Sequence, residues 1–559
     1  MFKARSSPSI GPTGTRAIGS RRISADAAVI ALVAAAFAIR LVWLVAFGGR
    51  EIEMDGAEYA RIADNLRHGL GYLGIQGHVD VVFPPLYPLL IAALTPFVHT
   101  SEHAGVALEV IMGSLLVLPV YGIARMAFGP RAAAYAGAII ALSPMANRLS
   151  TSVLSDSTFL VLASSGIFFA LRGLRGRGVL DFAACGLAYG LAFDTRPEAV
   201  AMVVVISVAI AANRLFERRA AAAGAALTVI AVPFVLCALP YIVSLSAWNH
   251  HLTFQGKTDL NYAIGKRVQR GMTYWQAADE IDASGNAIGA ELNASEPANQ
   301  RVAEPKSAYA VYLLRNAARH ARDLTYQLLT SVYDRGILLA LAFVGFAFSR
   351  FDRARLRDES ILLAYGIALY AALCSVTQFW DRYADGFIPL LAVWGGAGCA
   401  AISTRIEAAA PRSRWAPFGF ALAFAAVFGG LYVFAGMRGR PEALDTTKRQ
   451  AGTYLAHTHP APRIMEFFDL AAFYSGATWY PLPYGTSSAA LRYIAGIDPN
   501  YVVLESDAEQ HIPYLAGWIR HGIPDRRATF VDTFSSRSRE LKLFRWHGTP
   551  RSNALQGKA

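Results

Sequence analysis

Long apolar runs, separated by short arginine-rich segments, constrain this chain more than any other sequence feature. Hydrophobic residues make up 54% of the 559 positions and charged residues only 16%, whereas an ordinary soluble domain has about 25% charged residues. A run of about 18 or more apolar residues is long enough to cross the hydrocarbon core of a bilayer as a helix. The pattern predicts an α-helical polytopic membrane protein and excludes a soluble one.

We predict about eleven transmembrane helices from these runs. They lie at 27–48, 104–127, 132–148, 157–171, 179–193, 199–213, 220–246, 331–348, 360–379, 387–403 and 415–436. The run 83–98 is not counted, because it has only about 16 residues and contains four prolines. An interfacial helix is the better prediction for it.

The distribution of arginine predicts the orientation. With eleven spans, every short arginine-rich loop falls on the same side as the basic residues 1–26, and such an excess is typical of cytoplasmic loops. The formal net charge of +12 is explained in this way, without a nucleic-acid partner. The N-terminus is therefore expected in the cytoplasm. Loops 49–103 and 247–330 and the tail 437–559 are expected on the outer side, and residues 27–436 form the transmembrane module.

The tail 437–559 has a different pattern from the rest of the chain. Short β-type runs occur at 463–467 and 501–504 and as a pair within 529–544, and helical patterns occur at 487–495 and 512–520. These elements predict a small C-terminal α/β domain. No motif with catalytic spacing occurs in it, so the sequence assigns it no chemistry. The chain's four cysteines all lie in apolar runs without metal-ligand spacing and are predicted core residues.

The first outer loop begins with an acidic cluster formed by Glu51, Glu53, Asp55 and Glu58. Three interpretations are open from the residues alone. The cluster is a solvated acidic loop, or it supplies a general base that deprotonates a hydroxyl in a partly dry site, or Glu53 and Asp55 bind a hard cation through their oxygens.

The order of motifs in this loop resembles the first periplasmic loop of the GT-C glycosyltransferases. More closely, it resembles the bacterial relatives of dolichyl-phosphate-mannose protein mannosyltransferases and the lipid A aminoarabinose transferases. In the loop the matching motifs are Glu53-x-Asp55, Tyr59, Gly69-x-Gly71-Tyr72 and Pro84-Pro85-Leu86-Tyr87-Pro88. The resemblance continues in Ser143-Pro144, Ser155-Asp156, Thr195-Arg196-Pro197-Glu198 and Arg382-Tyr383 with Pro389. It covers roughly residues 27–400.

The resemblance implies an enzyme of the bacterial inner membrane that acts at the periplasmic face. Such an enzyme moves a sugar from a polyprenyl-phosphate donor to an acceptor hydroxyl and inverts the anomeric centre. Carried over by motif, Asp55 is the catalytic base and Asp156 places the acceptor or stabilises the site. A helix N-cap is an equally good interpretation of Asp156. Glu53 and Tyr59 become candidate substrate-binding residues.

Four cations and one tyrosine are candidates for binding the lipid phosphate. Arginine can donate two hydrogen bonds to phosphate oxygens, and Arg382 (with Tyr383) and Arg196 (with Glu198) are predicted at the outer ends of spans. A purely structural pairing of Arg196 with Glu198 is the alternative.

The other two cations have weaker arguments. Arg40 lies within the first span, where a charge is a functional hypothesis by default, although snorkelling would also explain it. Lys257, in the predicted outer loop 247–330, is either a phosphate ligand or a solvated residue.

The expected partners are a polyprenyl-phosphate-linked sugar, membrane lipids and an envelope acceptor that is a glycan, a lipid or a protein. No metal or other cofactor is required by the resemblance, and a divalent cation stays an alternative. His78 and Asp80 stand where aminoarabinose transferases carry a Glu-Lys pair, and Val82-Phe83 directly precedes the prolines. The missing pair argues against modification of lipid A.

Two other functions remain as alternatives. One is a carrier or flippase for a lipid-linked sugar, and the other is a ligase that uses lipid-linked oligosaccharides. Transporters favour mid-membrane binding sites and internal repeats, whereas the polar residues here gather at one predicted surface. Ligases lack the acidic first-loop motif.

Overall fold

The chain consists of apolar helices followed by a small mixed sheet. The structure is a computed structural model, and it describes residues 14–48, 51–176, 178–292, 306–330, 335–348, 352–413, 415–443, 446–458, 462–537 and 539–548. Residues 1–13 of the predicted cytoplasmic segment 1–26 lie outside these ranges, as do residues 293–305 of the predicted outer loop.

The helices of the N-terminal part follow one another with short connections. They are α1 (Gly14–Phe47), α2 (Met54–Arg67), α3 (Leu86–Val98), α4 (Ser101–Leu115), α5 (Val117–Phe128), α6 (Pro130–Leu142), α7 (Pro144–Leu149), α8 (Asp156–Leu174), α9 (Val179–Phe193), α10 (Ala199–Phe216) and α11 (Ala220–Asn249). Then come α12 (Lys257–Gln269), α13 (Tyr274–Asp279), α14 (Lys306–Thr330), α15 (Arg335–Phe348), α16 (Arg353–Leu373), the 3₁₀ segment Asp381–Phe387, α17 (Ile388–Ala409) and α18 (Ala416–Ala443).

Seven stretches within the described ranges are helical, long enough and apolar enough to cross a membrane. They are Ala27–Phe47, Ser101–Phe128, Asp156–Leu174, Ala199–Phe216, Ala220–Asn249, Asp381–Ala409 and Phe418–Gly439. An eighth results if Tyr309–Thr330 and Arg335–Phe348, bent by 94°, form one span. The chain is a multi-pass membrane protein, as predicted, whereas the count of eleven spans stays a prediction.

Several predicted elements differ from the structure, two of them most clearly. The expected span 132–148 is two helices, because α6 ends at Leu142 and α7 begins at Pro144, which has no N–H to continue the ladder. Ser143 caps the second helix, its hydroxyl accepting from the Ala146 N–H at 3.3 Å. Residues 306–330, expected as part of an outer loop, form the 25-residue helix α14.

The C-terminal part contains the predicted α/β domain. Its helices are α19 (Thr447–Thr458), α20 (Leu470–Ser475), α21 (Ser487–Ile497) and α22 (Leu515–His521), and its strands are β1 (Arg463–Glu466), β2 (Thr478–Pro481), β3 (Tyr501–Glu505), β4 (Ala528–Ser535) and β5 (Glu540–Trp546). The sheet order is β2-β1-β3-β5-β4, with β1 parallel to β2 and β3 and with β5 antiparallel to both of its neighbours. Among the described elements of this domain, strand β2 and helices α19 and α20 were not predicted from the sequence.

Helix α20 connects this domain to α2 of the helical part. The Arg61 guanidinium donates to the carbonyl oxygens of Ala472, Phe473 and Ala477 at 2.9–3.2 Å. The Ile52 N–H donates to the Tyr474 hydroxyl at 3.0 Å. Ile52 and Arg61 thus donate four hydrogen bonds to α20 and to Ala477 just after it, and these bonds fix one domain against the other.

We predict that Arg61→Ala loosens this docking, because it removes the three hydrogen bonds that the guanidinium donates to the carbonyl oxygens of Ala472, Phe473 and Ala477. The expected cost is about 2 kcal/mol, seen as a lower thermal midpoint of the purified protein and faster proteolytic release of the C-terminal domain. Arg67→Ala is the matched control, since Arg67 is one third exposed and lies 4.0 Å from Asp64. Equal behaviour of the two variants would contradict the assignment.

Candidate active site

A cavity of about 470 Å³ lies where the helical part meets the C-terminal domain. Its wall combines the start of α2, the loop before α3, the start of α8, the segment between α9 and α10, the loop before α12 and the 3₁₀ segment. Eight of the ten predicted site residues line it: Asp55, Tyr59, Asp156, Arg196, Glu198, Lys257, Arg382 and Tyr383. The fold thus gathers residues that are separated by hundreds of positions in the sequence.

Asp55 lies in the first turn of α2 and forms an ion pair with Arg382. Its side chain is 33% exposed. Burial alone would raise the pKa of Asp55, but the positive charges of Arg382 and Lys257, together with the hydrogen bond from Arg382, lower it well below its usual value. Asp55 is therefore ionised at neutral pH, which is the state of a base, and its proton affinity is low while Arg382 is paired with it.

Arg196 forms a second ion-pair group on the same cavity wall. Its guanidinium lies 2.5 Å from the Asp156 carboxylate and 3.5 Å from that of Glu198. The pairing with Glu198 that the sequence left open is therefore present, and Asp156 is the closer partner. All three side chains are less than one fifth exposed, so their charges act in a partly dry environment.

Asp156 does not cap α8, which was its alternative interpretation. The N-cap position belongs to Ser155. The side chain of Glu109 from α4 accepts hydrogen bonds from the Ser157 N–H at 2.8 Å and the Thr158 hydroxyl at 2.6 Å. Because Glu109 satisfies the start of the helix, the Asp156 carboxylate is left to pair with Arg196.

Aromatic rings fix the positions of Tyr59 and Lys257. The Tyr59 ring packs against Phe83 and Tyr87 at centroid distances of 4.7 and 4.8 Å, and its hydroxyl lies 3.1 Å from that of Ser155. Burial and the charge of Asp55 raise the pKa of Tyr59, which stays neutral. The Lys257 ammonium lies 4.1 Å from the centre of the Phe83 ring, a cation–π contact at the cavity wall.

Two predicted site residues do not line the cavity. Arg40 is fully buried, and its guanidinium donates to the carbonyl oxygens of Ala36 at 3.1 Å and Ile140 at 3.3 Å. It connects α1 with α6 inside the helical part, which rules out snorkelling as well. Glu53 occupies the N-cap position of α2. The geometry gives neither residue a contact with the cavity, so we do not assign them to substrate binding.

Four more carboxyl groups line the cavity and were not predicted as site residues: Glu58, Asp80, Glu291 and Asp469. Glu58 accepts from the Ile75 N–H at 3.1 Å, and Asp80 accepts from the Phe83 N–H at 2.8 Å. Burial raises the pKa of all four groups, that of Glu291 to about 6. In the described ranges no group of three or more His, Cys, Asp or Glu side chains is arranged to hold a metal ion.

Asp469 is the cavity residue that the sequence analysis missed most completely. It follows β1, at the carboxyl edge of three parallel strands. Binding residues in α/β sheets favour this edge. The position of Asp469 just after a predicted strand was therefore the signal that could have found it.

Comparisons with known proteins agree with this architecture. Residues 82–238 match the model of the family described as dolichyl-phosphate-mannose-protein mannosyltransferase. ArnT from Cupriavidus metallidurans, solved bound to undecaprenyl phosphate, is 14% identical over 95% of this chain and 99% of its own, with a TM-score of 0.55. The chain has the GT-C fold.

A second GT-C structure is similar over nearly the whole chain. The Archaeoglobus fulgidus oligosaccharyltransferase, tethered with an acceptor peptide, is 13% identical over 93% of this chain and 74% of its own, with a TM-score of 0.54. No curated protein matches the chain by sequence. The predicted resemblance to the GT-C glycosyltransferases related to protein mannosyltransferases and aminoarabinose transferases is confirmed.

We predict that Arg382→Gln raises the pKa of Asp55. While the ion pair with Arg382 is present, Asp55 loses its charge only well below the usual range of a carboxyl group, so any activity that needs ionised Asp55 persists to low pH. Without the cation, the acidic limb of the pH profile of residual sugar transfer should move upward by about one pH unit or more. Arg520→Gln, on the exposed C-terminal part of α22, should leave that limb in place. An unmoved limb in Arg382→Gln would contradict the ion pair as its cause.

Proposed function

We propose that the chain is an inverting glycosyltransferase that moves a sugar from a polyprenyl-phosphate donor to an acceptor hydroxyl. The observation that carries this proposal is the contact of Asp55 with Arg382 inside the cavity, because a carboxylate that can act as a base lies beside a cation that can bind phosphate. The similar structures support the lipid donor: one ArnT structure holds undecaprenyl phosphate, and an Archaeoglobus fulgidus oligosaccharyltransferase structure holds a dolichol-phosphate.

Arg382, Arg196 and Lys257 are the groups that would receive the phosphate of the donor. All three line the cavity, and each guanidinium can donate two hydrogen bonds to phosphate oxygens. In the structure Arg382 is occupied by Asp55 and Arg196 by Asp156. Phosphate binding therefore competes with these carboxylates for their cations.

This competition raises the proton affinity of the proposed base, Asp55. When the phosphate takes hydrogen bonds from Arg382, Asp55 loses the interaction that most lowers its pKa, and burial, which raises it, remains. The proton affinity of Asp55 then increases at the moment when the donor is in place. A base with a pKa closer to the working pH is more effective in proton transfer.

The chemical step is a single displacement. Asp55 takes the proton of the acceptor hydroxyl as its oxygen forms a bond to the anomeric carbon. The bond between that carbon and the phosphate oxygen breaks, and its electron pair leaves with the polyprenyl phosphate. Arg382 and Arg196 stabilise the charge that grows on the leaving group. Attack opposite the leaving group inverts the anomeric centre.

Four further residues of the cavity support the proposed catalytic and phosphate-binding groups: Asp156, Glu198, Tyr59 and Tyr383. Asp156 and Glu198 hold the Arg196 guanidinium from two sides. The Tyr383 ring lies 5.7 Å from the Arg382 guanidinium carbon. We assign Asp156 to positioning the cation rather than to proton transfer.

The distribution of arginine in the sequence supports a periplasmic site in the bacterial inner membrane. The acceptor is then an envelope glycan, lipid or protein.

We predict that Asp55→Asn lowers the rate of sugar transfer from a radiolabelled polyprenyl-phosphate hexose by about 10³-fold, because the amide cannot accept the proton. Glu53→Gln is the matched control, two residues away and outside the cavity, and should transfer at the wild-type rate. Full activity in Asp55→Asn would contradict the proposed base. If the wild-type protein binds several such lipids and never cleaves one, the carrier function is favoured instead.

Metal independence is a further part of the proposal. Three protein cations already face the cavity, which is sufficient to balance a phosphate monoester leaving group. We expect transfer to persist in excess EDTA at more than half its rate. Loss of transfer in EDTA, restored by one added divalent cation, would instead place a cation beside Asp55.

A further inference from the structure

Helix α20 begins in an unusual way, and this frees the side chain of Asp469. Aspartate at an N-cap normally accepts a hydrogen bond from the first turn of its helix. Asp469 holds that position in α20 but makes no such bond. The Glu466 carboxylate does so instead, accepting from the Ala472 N–H at 2.7 Å and the Ala471 N–H at 3.3 Å. Glu466 therefore satisfies the helix start, and Asp469 has no capping role.

The freed side chain lines the cavity. Asp469 is 4% exposed, and its buried Oδ1 atom has no hydrogen-bond partner among the residues that the structure describes. A buried oxygen in this condition is unfavourable compared with a hydrogen-bonded one. In a native structure such a group needs an explanation, and a bound ligand is one.

Burial and the neighbouring carboxyl groups favour the neutral form of Asp469. Asp55, Glu58 and Arg61 face it from α2, Lys448 from α19, Glu466 from β1 and Glu505 from β3. Burial raises the pKa of Asp469 well above its usual value, and the charges of Asp55 and Glu505 add to this effect. A neutral carboxyl group offers one donor and one acceptor side by side. Neighbouring hydroxyls of a sugar ring offer the complementary pair.

The position of Asp469 is fixed relative to the base. Helix α20 is tied to α2 through Arg61 and Tyr474, and α2 carries Asp55. In the proposed reaction Asp55 takes a proton from the acceptor oxygen, and the same oxygen attacks the anomeric carbon. Only that oxygen therefore separates Asp55 from the anomeric carbon. The donor's sugar ring therefore lies beside Asp55, where Asp469 completes the cavity wall.

We propose that Asp469 binds the hydroxyl groups of the donor's sugar, so that the C-terminal domain completes the sugar subsite of the transmembrane site. This proposal rests on the proposed function. It assigns the domain a direct contact with substrate, and it treats Asp469 as a specificity residue, with no part in proton transfer.

The test compares two lipids, so that the sugar is separated from the phosphate. Binding constants are measured for a panel of polyprenyl-phosphate hexoses and pentoses and for the same polyprenyl phosphate without sugar. Asp469→Ala should weaken the best sugar-bearing lipid by about tenfold and leave the sugar-free lipid within about twofold. Asp469→Asn should stay within about threefold of wild type for both, because its amide also offers a donor and an acceptor.

Two further measurements separate binding from folding. The thermal midpoint of Asp469→Ala should not fall, since no hydrogen bond to Oδ1 is lost. Asp532→Ala, which removes an aspartate exposed on β4 of the same domain, should match wild type in every measurement.

Each outcome decides the proposal. An equal loss for both lipids, a lower midpoint without a selective loss, or no loss at all in Asp469→Ala would overturn it. If the wild-type protein binds neither lipid, the proposal falls together with the proposed function. If the selective loss is seen in a protein that never transfers sugar, the subsite stands and the transferase function is the part that fails.

Discussion

The ion pair between Asp55 and Arg382 is the interaction on which the rest of the site depends. It joins two residues that are 327 positions apart, one in the first turn of α2 and one in the 3₁₀ segment before α17. A second, buried ion pair stabilises the 3₁₀ segment that carries Arg382. The Arg335 side chain bonds to Asp385 at 2.7 Å and to the Asp381 carbonyl at 2.8 Å, and both charged side chains are at most 2% exposed. Because a buried pair loses several kcal/mol when one partner is removed, it holds the segment that carries Arg382.

In the proposed reaction, the carboxylates of the cavity and the lipid phosphate compete for the same two arginines. Asp55 and Asp156 occupy the two arginines in the substrate-free chain, so the cations are not left unpaired in a partly dry environment. In the proposed reaction a lipid phosphate replaces these carboxylates at the arginines and releases Asp55 as it binds. The same low-dielectric surroundings raise the pKa of Glu58, Asp80 and Asp469, which favours protonated carboxyl groups that can hydrogen-bond to hydroxyls. In the proposed reaction, phosphate and sugar therefore bind to two chemically different walls of the cavity.

Sequence patterns predicted the membrane architecture because span length and apolar composition are local properties. They also placed the C-terminal sheet, whose strands are short but clearly apolar. Sequence patterns failed where side-chain packing and capping, rather than local composition, determine where a helix begins or ends. The break before Pro144 leaves the apolar composition of 132–148 unchanged. Helix α14 carries too many charges to be found as a span, and α16 begins earlier than expected because Asp352 caps it, accepting from the Arg355 N–H at 2.8 Å.

The site followed the same division. Seven of the eight cavity-lining candidates were found because their motifs stand in a characteristic order, and Lys257 was found as a cation in a predicted outer loop. No pattern shows which charges meet. Arg40 was predicted as a phosphate-binding candidate because the sequence cannot show that its partners are the carbonyls of Ala36 and Ile140. Asp469 was missed because its exposure to the cavity depends on Glu466 taking over its helix cap.

One binding measurement tests the central claim, that the lipid phosphate takes Arg382 from Asp55. The affinity of sugar-free polyprenyl phosphate is compared between the wild-type protein and Asp55→Asn at neutral pH. Competition for the arginine predicts that the variant binds about threefold more tightly, although it transfers sugar about 10³-fold more slowly. Equal or weaker binding by the variant would contradict the claim, and it would mean that Asp55 assists the phosphate instead of competing with it.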